Sequence, residues 1–374
     1  MIRYYSARCL LRYRLPALFC AVALLCGCAA QTKPETEESL LCRIAGWSAQ
    51  STVAQVEGQE VSARLYLFWL GYSCRYWDRY VYRQSGAHID WDATLSGALS
   101  YADFARSEAW RLVQLQLLTE QWAETYGAEL SSMQQTRLAE ERTAHVARCG
   151  DEDAFHLMLR KQGADEALYH RICCLPLLYA SLTALAQTPD SALYAPEETL
   201  RRFAREQGYL SLDILLLNTR DRDSGALLGE QIEAQVQAQA QALLYQLKQS
   251  LHPEELFSQF ADLYSQDPYR PQHPDGYLYT AETLPEEFSA AAALKEGEFS
   301  PLLTMPYGVA LLCRKSTYPA SLREEYFSSS FAAALSHLSC RQDPRIGRLD
   351  VGRFFRLLPQ IDTKAQGGSP YEYL

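Results

Sequence analysis

Apolar residues recur every three or four positions through most of the first half of the chain, which is the spacing of amphipathic helices. The run from Ala105 to Trp122 predicts one long helix. Residues 53–62 alternate instead and predict a short strand and turn, with Ser62 placed to cap the next helix. Asp151 and Asp165 are placed to cap two further helices. The pattern therefore predicts a helical N-terminal domain.

The spacing changes after Gly208, where a short apolar run is followed by helical periodicity and then by alternating turns and strands. The predicted elements, in chain order, are a strand at 210–217, helices at 232–251 and 256–264, a strand at 277–279, a helix at 285–294 and a hairpin at 302–314. This order predicts an α+β unit of about a hundred residues.

Two segments flank this unit. Residues 189–196 begin and end with proline and predict a linker. Residues 322–338 have the spacing of an amphipathic C-terminal helix, and residues 351–358 form a further apolar segment that can pack back on the first domain.

The last third of the α+β unit carries three distinctive motifs. They are a Pro-Asp-Gly turn at 274–276, the run Leu-Pro-Glu-Glu-Phe at 284–288 and the run Leu-Lys-Glu-Gly-Glu-Phe-Ser at 294–300. Their order and spacing resemble the parvulin family of peptidyl-prolyl isomerases, and the resemblance covers nearly the whole unit. It implies a small antiparallel sheet with helices, and rotation about X-Pro bonds as the reaction.

The resemblance also implies a pocket. Leu284 and Phe288 match the family positions that bind the proline ring. Asp267 and Thr304 match polar positions of the family pocket and are candidate catalytic residues. The spacing by itself has a second interpretation, in which Leu284, Phe288 and Leu294 are the core face of a helix.

Two histidines usual in a parvulin pocket are absent from this chain. Asp213 stands in the first strand where the family has one, and Ala310 stands in the last strand where it has the other. Asp213 either replaces a pocket histidine as a catalytic residue or points to solvent at a sheet edge. The sequence thus predicts a peptidyl-prolyl isomerase, with a non-catalytic chaperone or holdase of degenerate pocket as the alternative. A structural lipoprotein that keeps only the scaffold is a third hypothesis.

The N-terminus has the features of an export signal. Four arginines precede an apolar run at 15–25, and the run ends in Leu-Cys-Gly-Cys at 25–28. This resembles the bacterial lipoprotein signal, which implies cleavage before Cys28 and a lipid on that residue; an ordinary signal cleaved near Ala29 is the alternative. Either way the mature chain is expected outside the cytoplasm, on the outer face of the cell membrane if the host is Gram-positive.

Composition narrows the range of partners. The chain has a formal net charge of −10, and about −14 without the signal. This acidity argues against nucleic acid and against adhesion to anionic lipid. Seven cysteines follow Cys28 without a C-x-x-C, so no disulfide framework is indicated. His145, Cys149 and His156 match no standard zinc spacing. Neither a metal nor a cofactor is predicted.

The whole layout resembles foldase lipoproteins and periplasmic chaperones of the PrsA and SurA type. The fold class implied is α+β: a helical chaperone-like domain, completed by a C-terminal helix, with an inserted parvulin-like domain. Unfolded or partly folded exported polypeptides are the implied partners. The implied parts are a signal peptide at 1–27, a tether at 28–50, the chaperone-like domain at 51–195, the parvulin-like domain at 196–316 and a returning C-terminal segment at 317–374.

Overall fold

The computed structural model describes residues 39–221 and 224–359. The chain divides into two compact units. Unit 1 comprises the residues up to 185 and those from 330 onward, and unit 2 comprises residues 186–329. The predicted α+β class is confirmed, since long helices accompany small antiparallel sheets.

Unit 1 is mainly helical. Its elements are α1 (Leu40–Ala45), β1 (Thr52–Val56), β2 (Gln59–Ser62), α2 (Ala63–Ser85), β3 (Thr94–Ser96), β4 (Leu99–Ser100), α3 (Tyr101–Tyr126), α4 (Ser132–Cys149), α5 (Glu152–Gln162), α6 (Glu166–Gln187), the second part of α10 (Ala320–His337), β9 (Cys340–Gln342), α11 (Arg345–Arg348) and α12 (Val351–Leu357). The C-terminal strand β9 pairs antiparallel with β1, in the order β2-β1-β9.

Side-chain caps start the helices of unit 1 where the sequence predicts them. The Ser62 hydroxyl accepts from the backbone N–H of Leu65 at 3.3 Å, and the Asp151 carboxylate accepts from that of Ala154 at 2.8 Å. Each cap satisfies a backbone donor that the first helical turn leaves unpaired. The caps fix where α2 and α5 begin, and hence which faces they bury.

Helix α6 has the length and apolar composition that would suffice to cross a membrane, the one such helix among the described residues. The sequence analysis predicted a helix here from its Asp165 cap but did not single out its apolar length. Ile172, Cys173 and Leu182 of this helix are buried, and the Tyr179 ring packs edge-on against Phe331 at 5.2 Å. This part of the helix therefore packs within unit 1.

Unit 2 is built on a four-stranded antiparallel sheet. Its elements are α7 (Glu197–Gln207), β5 (Leu210–Asn218), α8 (Glu230–Gln249), α9 (Pro253–Tyr264), a 3₁₀ turn (Arg270–Gln272), β6 (Tyr277–Tyr279), a 3₁₀ helix (Glu286–Ala293), β7 (Leu303–Met305), β8 (Gly308–Arg314) and the start of α10. The strand order is β6-β5-β8-β7. The predicted strands, helices and closing hairpin are therefore present.

Each face of this sheet carries its own apolar core. One face, called here the Phe257 face, packs Leu215, Leu311 and neighbouring residues against α8 and α9 through Phe257. The other, called the Phe288 face, packs Ile214 and its neighbours beneath the 3₁₀ helix. Since side chains alternate along a strand, odd-numbered residues of β5 face Phe257 and even-numbered ones face Phe288.

The third helix predicted for unit 2 is a 3₁₀ helix. Its buried side chains are Phe288 and Ala291, three positions apart. Side chains separated by three residues align in a 3₁₀ helix, so this tighter form buries both on the sheet. Just before β6, a Cβ on Gly276 would lie 2.7 Å from the carbonyl oxygen of Leu212 and its φ is +100°, so the Pro-Asp-Gly turn requires glycine there.

Candidate functional site

An aromatic row lies on the Phe288 face of unit 2. Tyr277 and Tyr279, two apart on β6, stack with ring centroids 6.1 Å apart. Tyr279 in turn meets Phe288 edge-on at 6.4 Å. Phe288 is buried, whereas both tyrosines are only half-buried. The row therefore presents partly open aromatic surface above a closed apolar floor.

Leu284 extends this row. A turn precedes it, in which its backbone N–H donates to the Thr280 carbonyl at 2.9 Å, and Pro285 then opens the 3₁₀ helix that carries Phe288. Its half-buried side chain packs on the same cluster as Phe288. The two residues predicted to bind the proline ring thus share one face of the sheet.

Asp267 lies beside the row because the chain before it pairs with β5. The Gln266 backbone N–H donates to the Leu216 carbonyl at 2.7 Å, and the Ser265 hydroxyl accepts from the Leu216 N–H at 3.1 Å. The Asp267 carboxylate then accepts from the Tyr269 backbone N–H at 3.0 Å and from the Tyr277 hydroxyl. Asp267 is consequently held against the aromatic row by a direct hydrogen bond.

The electrostatics keep these phenols protonated. Burial and the neighbouring Asp267 carboxylate raise the pKa of Tyr277 well above its ordinary value. Burial, with Asp267 and Tyr307 nearby, raises the pKa of Tyr279 to about 12. Tyr277 is therefore a hydroxyl donor to Asp267 throughout the neutral range, and Asp267 is the acceptor.

Asp213 lies on the opposite face of the sheet. It is 1% exposed on the central strand β5, so the expectation that it points to solvent at a sheet edge is wrong. Its carboxylate accepts from the Arg270 guanidinium and, at 3.1 Å, from the Ser258 hydroxyl, with the Lys315 ammonium 4.0 Å away. The structure does not bring Asp213 together with Phe288.

Thr304 is likewise separated from the row. Its neighbours Leu303 and Met305 pack on the Phe288 face, so alternation along β7 points the exposed Thr304 side chain the other way. Ala310 is buried in the Phe288 cluster. Two polar side chains contact the aromatic row at Tyr277: the Asp267 carboxylate accepts from its hydroxyl, and the exposed His273 ring lies 4.5 Å from its ring.

The sequence analysis missed three residues that shape this site. Tyr277 and Tyr279 could have been found, because residues two apart on a predicted strand share a face. No sequence pattern indicated Arg270, because its partner Asp213 lies far away along the chain on β5 and its partner Asp262 lies on α9. Pairings of this kind depend on the fold.

A separate cleft of unit 2, of about 660 Å³, lies at the start of α9. Ser258 and Lys315 line it, and both of them contact Asp213, as does Arg270. This places the cleft beside the ion pairs of Asp213. Within residues 39–221 and 224–359, no group of three or more His, Cys, Asp or Glu side chains is placed to hold a metal ion. Cys28, the predicted lipidation site, lies outside the described residues.

No protein-family model and no curated protein matches the chain. Several solved structures do match it. PrsA of Bacillus subtilis is 14% identical over 73% of this chain and 96% of its own, with a TM-score of 0.25. The peptidylprolyl isomerase PrsA of Bacillus cereus is 15% identical over 73% and 94%, with a TM-score of 0.21. A SurA-like chaperone of Campylobacter jejuni is 12% identical over 78% and 99%, with a TM-score of 0.20.

Proposed function

We propose that the chain is an extracytoplasmic protein-folding factor that binds proline-containing segments of exported polypeptides and catalyses rotation about their X-Pro bonds. The observation that carries this proposal is the Asp267 carboxylate, held by Tyr277 beside the aromatic row that ends at Phe288. The reaction needs an apolar surface that binds the proline ring and one fixed negative charge beside it.

Rotation about an X-Pro bond faces a barrier of about 18–20 kcal/mol and involves no covalent step. Leu284, Tyr279 and Phe288 would hold the proline ring by apolar and aromatic contact. Resonance in the planar imide places negative charge on the carbonyl oxygen, and twisting removes it. A carboxylate near that oxygen therefore repels the planar form more than the twisted one, which lowers the barrier.

Asp213 has a positioning role in this proposal. It binds Arg270, which also donates to Asp262 at 2.6 Å. Arg270 lies between Asp267 and Tyr277 in sequence, so its two ion pairs fix the loop that presents both site residues. Asp213 and Thr304, which lie away from the aromatic row, do not touch the substrate in this account.

The location follows from the N-terminal sequence. Cleavage before Cys28 and lipidation of that residue would hold the chain at the outer face of a bacterial membrane, where exported polypeptides arrive unfolded. Such clients expose X-Pro bonds whose isomerisation otherwise takes tens of seconds.

A non-catalytic holdase is the second candidate. The observation that favours it is Ala310, buried where the parvulin resemblance places a histidine, with Asp213 occupied by Arg270 on the other face. Such a protein would bind proline segments on the same surface without turnover.

Peptide binding tests the part shared by both candidates. We expect the mature chain, residues 29–374, to bind a proline peptide at least tenfold more tightly than the same peptide with alanine in place of proline, by titration calorimetry. Phe288→Leu, which keeps an apolar side chain but removes the ring, should reduce the preference for proline; Leu263→Ala, at an exposed apolar residue of α9, is the control. Equal affinity for both peptides would contradict the proposal. Preferential binding of the proline peptide without faster isomerisation would favour the non-catalytic holdase.

A further inference from the structure

Positive charge is concentrated in one part of unit 1, although the chain as a whole is acidic. Residues 341–356 contain five arginines and two aspartates, a net charge of +3, whereas the whole chain carries −10. The four arginines from Arg345 onward are all exposed in the structure.

Three of these arginines, Arg345, Arg348 and Arg353, line a cleft of about 280 Å³. One wall is formed by Trp47 and the end of α1, and the other by Arg345, Arg348 and Arg353. The Arg345 guanidinium lies 5.7 Å from the centre of the Trp47 ring and forms an ion pair with Asp343 at 2.9 Å. The cleft thus has an aromatic ring on one wall and a rim that carries three guanidinium groups and the Asp350 carboxylate.

Two guanidinium groups on this rim are available to a ligand. Arg348 and Arg353 make no side-chain hydrogen bond or ion pair to any residue within 39–221 and 224–359. The nearby Asp350 carboxylate accepts from the backbone N–H of Arg353 at 2.7 Å and thereby caps α12. Each guanidinium is a planar group of donors whose geometry matches the oxygens of a phosphate group.

The outer face of α12 continues the same surface. Arg353, Arg356 and Leu357 are exposed and lie three or four positions apart, on one side of the helix. Leu357 is 50% exposed. Arginines beside an exposed leucine suit the boundary of a bilayer, where the apolar side chain enters the head-group region and the charges remain at its surface.

The position in the chain favours a membrane as the ligand. This step rests on the lipid anchor at Cys28 proposed above. Ser39 follows Cys28 by 11 residues, a distance of about 40 Å at most when fully extended. Helix α1 begins immediately after Ser39 and the cleft lies at its C-terminal end, so the anchor keeps this surface within reach of the bilayer.

We infer that this arginine surface, formed by Arg345, Arg348, Arg353 and Arg356, binds the phosphate head groups of anionic phospholipids and seats unit 1 on the membrane that carries the anchor. The acidic total charge argued against such adhesion, but charges more than about 8 Å away are largely screened at physiological salt. The positive charge of the arginine surface, and not the net charge of the chain, therefore determines whether this surface binds the membrane.

Vesicle binding by the mature chain, residues 29–374 without lipid, tests this inference. We expect binding to vesicles of 30% phosphatidylglycerol in phosphatidylcholine, little binding to phosphatidylcholine alone, and release at high salt. Each arginine near an anionic surface strengthens binding about fivefold, so Arg348→Gln with Arg353→Gln should weaken it about 25-fold. Arg348→Lys with Arg353→Lys keeps the charge and should retain most of the binding.

The matched control is Arg202→Gln with Arg205→Gln, which removes the same charge from exposed positions on α7 of unit 2. Equal loss in the control pair, or no dependence on phosphatidylglycerol, would overturn the inference. So would full displacement by millimolar inorganic phosphate at matched ionic strength, which would identify a site for the free anion. Melting curves verify folding, and prolyl isomerisation by the same samples reports the proposed function of unit 2 separately.

Discussion

At the scale of single residues, the Tyr277 hydroxyl fixes the orientation of the Asp267 carboxylate. Tyr277→Phe keeps the ring in the aromatic row and removes only this hydrogen bond. We expect kcat/KM for prolyl isomerisation to fall about five- to tenfold, with peptide affinity nearly unchanged, because the carboxylate loses its orientation while the aromatic row remains.

Tyr269→Phe is the matched control for this prediction. Tyr269 is 62% exposed and contacts Asp267 through its backbone N–H, which the substitution keeps. A protease-coupled assay on a proline peptide would measure both variants. Equal rates for Tyr277→Phe and the parent chain would mean that the Tyr277 hydroxyl plays no part in positioning the charge.

The role of a residue could be predicted from the sequence where a motif or the spacing of apolar residues determines it. Asp267, Leu284 and Phe288 were identified by motif, and the structure places all three around the Phe288 face. Asp213 and Thr304 were grouped with them, but the face to which a strand residue points depends on register. Short apolar strands such as β5, buried on both sides, give no polar alternation from which to infer that face.

At the scale of elements, the ion pair between Asp213 and Arg270 joins the central strand to the loop that carries Asp267. Arg270→Met would leave the Asp213 carboxylate buried without its main partner. We expect this to lower the free energy of unfolding of unit 2 by about 3–5 kcal/mol. Hydrogen exchange of the β5 amides, read by mass spectrometry, measures the loss.

Two further variants make this prediction specific. Arg202→Met replaces an exposed arginine on α7 and should change β5 exchange little. Adding Asp213→Asn to Arg270→Met removes the unpaired charge and should recover part of the stability. If Arg270→Met leaves β5 exchange unchanged, the ion pair does not hold the loop to the sheet.

The packing of α4, α5 and α6 predicts a pH dependence in unit 1. The His145 ring lies 3.3 Å from the Tyr169 hydroxyl and packs on Phe155, and its burial, with Arg148 nearby, lowers its pKa to about 4. The unfolded chain therefore takes up a proton on His145 near pH 6.5, whereas the folded chain takes it up only near pH 4. Stability is full above about pH 6.5 and should fall by about 2 kcal/mol at about pH 5.

His145→Gln should flatten this pH dependence, since an amide does not titrate in this range. His337→Gln, at an exposed histidine on α10, should leave it intact. Unfolding followed by tryptophan fluorescence suits this test, because all six tryptophans lie in unit 1. An equal loss between pH 7.5 and pH 5 in His145→Gln and the parent chain would exclude His145 as its cause.

Element types and caps were largely predictable because they depend on local chemistry. Ser62 and Asp151 start their helices by accepting backbone hydrogen bonds three residues ahead, which a sequence displays directly. The 3₁₀ form of residues 286–293 was not predicted, because burial against the sheet selects it. Tertiary contact overrides helix propensity in so short a segment.

At the scale of the whole molecule, unit 2 contains complete cores of its own. Both faces of its sheet are covered from within residues 186–329, and a third cluster joins Leu200 and Phe203 of α7 to Tyr318 and Leu322. We expect the fragment 186–329 to fold alone and to retain the isomerisation rate of the mature chain within about threefold. A fragment that gives no cooperative melting transition would contradict this.

The third cluster also explains where the sequence-based boundaries differ from the structure. The sequence placed the α+β domain at 196–316, whereas unit 2 spans 186–329. Its two ends meet in this cluster, where the Phe203 ring packs edge-on against Tyr326 at 5.3 Å. A contact between segments more than a hundred residues apart leaves no trace in local periodicity.

The most direct measurement is the rate of prolyl isomerisation by the mature chain and by Asp267→Asn, with Thr304→Val as the control on the opposite face of the sheet. The amide substitution keeps the size and an acceptor oxygen of the side chain but removes its charge. We expect clear acceleration by the parent chain, a loss of at least tenfold in kcat/KM for Asp267→Asn, and an unchanged rate for Thr304→Val. Acceleration that survives in Asp267→Asn would contradict the proposed mechanism, and no acceleration by the folded parent chain would contradict the enzyme itself.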